Sequence, residues 1–355
     1  MPERVSRRTP ETINHERSCQ GIWRAATERR HFMTLTRRHF IISGAATGAA
    51  LATLGSSPAA FAQDKPTVTV GSKDFTESHI LAHLCADLLE NAGYEVERQI
   101  NLGGTLVAHE ALVAGEIDVY VEYTGTGLLA ILGMELPEVD GATPDASATP
   151  DGAAANPLAE EVYNIVATEY PEQFGLEWLE SWGINNTYAL AMRRDQVEEL
   201  GITTISELVE HAGDLTIGAP QETLVREDGI PGLEATYGLE FGDAVGLDPG
   251  LMYSALDNGD VDVITAFATD GRIAALDLVL LEDDLNFYPP YYAAPVVRQE
   301  LLEQSPEVRD ALNQLAGRLD DETMTQMNFE ADENGVETNE VARQYLVDEG
   351  LFDGE

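Results

Sequence analysis

One pattern occurs twice in this chain and constrains its fold more than any other feature. Residues 111–123 and residues 255–267 both read A-L-x-x-G-acid-I/V-D-V-x-x-x-aromatic, the first ending on Tyr123 and the second on Phe267. Each copy reads as the end of a helix, a glycine cap and a strand that finishes on an aromatic residue. Two copies predict two α/β halves with related strands. In open α/β sheets ligands sit beyond the carboxyl ends of the strands, so each half is expected to offer its aromatic residue to a common cleft. Asp118 and Asp262 look catalytic in isolation. Their matched place after a glycine cap predicts a structural role at strand entry instead.

The surrounding chain fits that frame. Residues Thr67–Val70 read as a short buried strand, and Gly71-Ser72-Lys73 turns the chain into a helix opened by Asp74 and Glu77 at capping-box spacing. Ile80, Leu81, Leu84, Cys85, Leu88 and Leu89 then recur at helical period until Asn91-Ala92-Gly93 stops them. A strand over Tyr94–Ile100, a helix over Thr105–Ala114 and a strand over Ile117–Tyr123 follow, an alternation that predicts a mostly parallel sheet. Residues 138–156 are polar, low in complexity and too poor in apolar groups to order themselves, and read as a disordered surface insertion. A second series of strands and helices runs from about Tyr188 to Phe287, and a helical tail closes the chain.

Charge and the N-terminal segment narrow the setting. Beyond residue 62 the chain holds 59 acidic residues against 11 basic ones, a net of −48. Such a surface repels nucleic acid and anionic lipid, and suits a protein that stays soluble in concentrated salt, implying a halophilic setting. Residues 1–62 read as an N-terminal extension and export signal: Arg37-Arg38 precede the apolar run Ile41–Leu54, and Ala60-Phe61-Ala62 places small residues before a cleavage point at Gln63. That is a twin-arginine signal, with Met33 as an alternative start. No other run approaches the roughly 18 apolar residues of a membrane span. Cys19 leaves with the leader, so Cys85 has no disulfide partner, and no lipid-bearing cysteine stands at the cleavage point. The expected mature protein is a soluble extracytoplasmic monomer without metal or cofactor.

Six segments carry a resemblance to a known family. Gly71–Glu77 (GSKDFTE), Asn101–Thr105 (NLGGT), Glu122–Thr126 (EYTGT), Asn185–Leu190 (NNTYAL), Thr269–Ile273 (TDGRI) and Pro289–Pro295 (PPYYAAP) resemble the osmoprotectant-binding proteins of the glycine betaine, carnitine and choline ABC importers. The resemblance covers about residues 67–350. It implies a type II periplasmic-binding-protein fold, with lobe one over 66–184 plus 294–355, lobe two over 185–293, crossovers near 185–187 and 292–295, and a ligand cleft between the lobes. It also implies an aromatic box of Tyr123, Tyr188, Phe267 and Tyr291 around a quaternary ammonium, and a carboxylate clamp of Lys73, Thr126 and Arg226 on the opposite wall, with Asn186 as a polar neighbour. The box chemistry is sound, because a quaternary ammonium has no N–H to donate and is held by aromatic faces. A Phe at 267, where the family often has Tyr, keeps the π face and loses a hydroxyl. The implied partners are a betaine-type small molecule and the permease subunits of the importer, with no nucleic acid.

Other readings rank lower. His79 and His83 lie four apart on one helix but lack the intervening glutamate of a zinc protease, and a solvated helix face explains them. Gly103-Gly104-Thr105 lacks the lysine of a phosphate loop, and no nucleophile elbow occurs, so an enzyme on this scaffold is the weaker class. The same fold serving choline, carnitine, proline betaine or ergothioneine is the nearer alternative. Choline is disfavoured by the Lys73 and Arg226 pair, since it has no carboxylate for them to hold.

Overall fold

The computed structural model describes residues 65–138 and 156–352. The segment expected to be an export signal, residues 1–62, and residues 139–155 of the expected insertion lie outside the described residues. Among the described residues there are ten strands: β1 (Thr67–Gly71), β2 (Glu95–Gln99), β3 (Val119–Tyr123), β4 (Leu176–Trp178), β5 (Tyr188–Arg193), β6 (Thr216–Ala219), β7 (Asp243–Gly246), β8 (Val263–Phe267), β9 (Leu278–Leu280) and β10 (Ala293–Arg298). They form two five-stranded sheets, ordered β2-β1-β3-β10-β4 and β7-β6-β8-β5-β9. The orders correspond strand for strand. In each sheet three neighbours run parallel, and the next strand, β10 or β5, runs against both of its partners. The expectation of mostly parallel sheets therefore needs correction: half of the pairings are antiparallel, because β5 and β10 each follow a crossover and begin at the edge where the parallel strands β8 and β3 end.

The repeated sequence accounts for the correspondence. Gly115 and Gly259 both adopt left-handed backbone, with φ of 73° and 76°, which ends a helix at no steric cost for glycine alone. Asp118 then accepts a hydrogen bond from the Thr69 amide (2.9 Å) and an ion pair from Arg298 (3.1 Å). Asp262 repeats the arrangement, accepting from the Thr216 amide (2.9 Å) and pairing with Arg193 (3.5 Å). Each aspartate thus joins a parallel neighbour to the end of the antiparallel strand, a structural device and not a catalytic one.

Helix Thr76–Asn91 lies against sheet one and buries the apolar stripe that its sequence predicts, with Ile80, Leu81, Leu84, Cys85, Leu88 and Leu89 fully enclosed. Each buried leucine of this kind contributes about 2 kcal/mol. The helix is not capped as expected. Phe75 holds the N-cap position without a side-chain cap, and Glu77 turns inward. His79 and His83 are half-buried, not fully solvated. Burial lowers the pKa of His79, of His83 (where Arg98 adds to it) and of His109. Depressed imidazole pKa values mean that the unfolded chain binds protons first as pH falls. The stability contribution of these neutral rings is therefore present above the ordinary value of 6.5 and is lost as pH drops through the lower native values. Proton NMR titration of the native protein should place all three midpoints below 6.5; an ordinary midpoint for His83 would contradict this burial.

The chain crosses between sheets twice, and the two passes lie side by side. Asn185 and Tyr292 form an antiparallel bridge, the Ala293 amide donates to the Ile184 carbonyl (3.1 Å), and the Tyr291 amide donates to Asn185 Oδ1 (2.7 Å). None of the described helices is long and apolar enough to cross a membrane.

Candidate functional site

Strand direction assembles the site. β3 and β8 end on Tyr123 and Phe267, while the antiparallel β5 begins on Tyr188 directly opposite Phe267, and Tyr291 lies two residues before β10. All four aromatic residues consequently reach one edge of the sheets. They line a cavity of about 630 Å³ together with Lys73, Thr126 and Asn186. Tyr188 packs on Phe267 with ring centroids 5.4 Å apart and edge-on against Tyr291, also at 5.4 Å. Burial holds the phenols of Tyr123, Tyr188 and Tyr291 above the usual tyrosine range, so these rings are neutral at any ordinary pH.

Sequence reasoning missed Phe75. Its ring stacks on Phe267 at 5.1 Å with 10° between planes and approaches Tyr123 at 6.2 Å, so it completes the aromatic wall. Its signal was in plain view, as the one aromatic residue of the Gly71–Glu77 motif, at the point where strand turns to helix.

Glu77 was also misread. Its buried carboxylate accepts hydrogen bonds from the Tyr123 hydroxyl (2.7 Å), Asn186 Nδ2 (2.9 Å), Thr269 Oγ1 and Asn328 Nδ2 (3.0 Å). Four parts of the chain meet there: β3, the first crossover, the turn after β8 and the helix Asp321–Asp332. The local capping partner lost to these tertiary donors.

The two cations stand differently from the expectation. Lys73 Nζ pairs with Glu122 Oε1 at 2.6 Å and lies over the Tyr123 ring at 4.6 Å, on the aromatic wall rather than opposite it. Arg226 is buried but does not line the cavity. Its guanidinium holds Asp228 through both ends of the fork, donates to Glu222 Oε1 (3.1 Å) and Thr105 Oγ1 (3.2 Å), and lies 6.0 Å from the Tyr188 ring centre. Burial works against the charged guanidinium, yet the Asp228 contact and neighbouring charges hold its pKa above the ordinary value. The pattern is general: among the described residues, ten of the 11 basic residues beyond residue 62 sit in ion pairs. With so many carboxylates in the chain, nearly every cation finds a carboxylate partner. Among the described residues there is no cluster of His, Cys, Asp and Glu able to hold a metal.

Two α/β lobes of matched topology, with an aromatic-walled cleft at their junction, define a type II periplasmic-binding fold. Residues 66–348 match the family described as the substrate binding domain of ABC-type glycine betaine transport systems. This chain belongs to that family, whose members are transport binding proteins and not enzymes. It is 33% identical over 302 residues to the carnitine transport binding protein OpuCC of Listeria monocytogenes, covering 84% of this chain and 92% of that one. It is also 33% identical to the glycine-betaine-binding protein of Pseudomonas aeruginosa over 314 residues, 85% of this chain and 94% of the relative. A solved structure of a glycine betaine/carnitine/choline ABC transporter protein superimposes with a TM-score of 0.60 at 31% identity, over 81% of this chain and all of the other.

Proposed function

We propose that this protein captures glycine betaine or a closely related quaternary-ammonium osmoprotectant outside the cytoplasm and delivers it to an ABC permease. The observation that carries the reading is the aromatic wall: Tyr123, Tyr188, Phe267 and Tyr291, joined by Phe75, face one cavity at a lobe junction. Each desolvated face contributes about 0.5–2 kcal/mol toward a trimethylammonium group. Thr126 and Asn186 supply polar contacts, while Lys73, paired with Glu122, stands on the aromatic wall and Arg226 lies buried outside the cavity lining. Lobe one (66–184 plus 294–355) and lobe two (185–293) hinge about the paired crossovers. The protein acts as a monomer, exported by the twin-arginine route, in a salt-rich setting. Carnitine, proline betaine, choline and ergothioneine are the nearest alternative ligands.

Calorimetric titration of residues 63–355 in molar salt tests this. Glycine betaine or another quaternary ammonium compound is expected to bind saturably at one site, and removing the methyl groups, as in glycine, abolishes binding. A protein that binds none of the five compounds, or binds glycine equally well, refutes the reading.

A further inference from the structure

Beside the aromatic wall, one carboxylate of the protein lies where a ligand's carboxylate would be attracted. Glu222 stands on the loop after β6, in lobe two, and lines the cavity. It reaches across the cleft to lobe one, where its Oε2 accepts from the amide of Thr105 at 2.8 Å. Thr105 is the first residue of the ten-residue helix Thr105–Ala114, whose unpaired amides and aligned dipole favour a negative group. The other oxygen, Oε1, accepts from Arg226 Nη1 at 3.1 Å, and the same nitrogen reaches Thr105 Oγ1 at 3.2 Å. An amide at a helix start and a buried guanidinium thus form an anion pocket, and the protein's own side chain fills it. Gly104 makes the approach possible, since a Cβ there would lie 2.4 Å from Glu222 Oε2.

We infer that Glu222 is a specificity-determining residue: an internal carboxylate that competes with the carboxylate of a zwitterionic ligand and spares a purely cationic one. The inference rests on the quaternary-ammonium reading of the cleft. A ligand bearing both charges must displace Glu222 from Arg226 and the Thr105 amide, or bind with its carboxylate close to another. A ligand such as choline leaves the pocket filled and gains from the extra negative charge. Discrimination then resides in a residue that never touches the ammonium group.

The test compares affinities for glycine betaine and choline in the wild type and in two variants. Glu222→Gln removes the charge but keeps an oxygen to accept from the Thr105 amide, so the lobe contact survives. Gly104→Ala leaves the charge in place and pushes the carboxylate out of the pocket. Both should shift the betaine-to-choline affinity ratio toward betaine, by about tenfold for Glu222→Gln, and the shift should shrink with added salt. A ratio that stays within about twofold of wild type in both variants would assign Glu222 a role in lobe contact alone. A wild type that binds neither compound overturns the ligand reading together with this inference, whereas a wild type that binds with an unmoved ratio overturns only the inference.

Discussion

Arg226→Ala is expected to cost roughly 3–5 kcal/mol of folding stability, measured by denaturant unfolding without any ligand. The cause is Asp228, which is only 3% exposed and takes its charge compensation from the Arg226 fork. Alone, it is a carboxylate out of water with the Tyr291 hydroxyl at 3.4 Å as its remaining side-chain partner. The double variant Arg226→Ala/Asp228→Ala should recover a large part of the loss, because no stranded charge remains. Affinity for choline and for glycine betaine should fall together in the single variant, since the pair anchors Tyr291 and the loop that meets Thr105. A single variant within 1 kcal/mol of wild type would mean that the pair contributes little.

Tyr188→Ala should weaken every quaternary-ammonium ligand by about 10- to 100-fold, through the lost π face and the slackened rings around it. Tyr188 is the hub of the wall: Phe267, Tyr291 and Tyr288 all pack on it, the last at 6.0 Å. Tyr188→Phe retains the face and should stay within about threefold. Titration calorimetry with both ligands decides the matter. An alanine variant that keeps wild-type affinity would place the ligand elsewhere.

The lobes and the aromatic edge were legible because they follow from periodic signals. Gly115 and Gly259 mark helix ends by backbone conformation, and strand alternation brings a terminal aromatic residue to the cleft. What sequence could not show was the partner of each charge. Glu122 is adjacent to Tyr123 and reads as a strand residue, yet it neutralises Lys73 from a position 49 residues away. Arg226 and Asp228 are two apart in a loop, where no period states which way either points. Glu77 satisfied a local helix-start rule and was claimed by donors as distant as Asn328. Local rules hold where backbone geometry decides; they fail where several tertiary donors compete for one buried carboxylate.

The near-complete pairing of the cations reaches beyond the site. Residues 185–293 alone hold 21 acidic residues and four basic ones, and the rest of the chain beyond residue 62 is just as lopsided, with 38 acidic residues and seven basic ones. Closure of the cleft, as the proposed function requires, would therefore press two like-charged bodies together, against work that depends on how far their fields extend. That reach is about 10 Å at 0.1 M salt and about 3 Å at 1 M. On the proposed function, surrounding salt would then act as a solvent-borne spring constant: in dilute medium the jaws would repel and surrender ligand, and in strong brine the same jaws would shut at little cost. If the proposed function holds, a receptor of this composition would tie its grip to the salinity that makes an osmoprotectant worth importing.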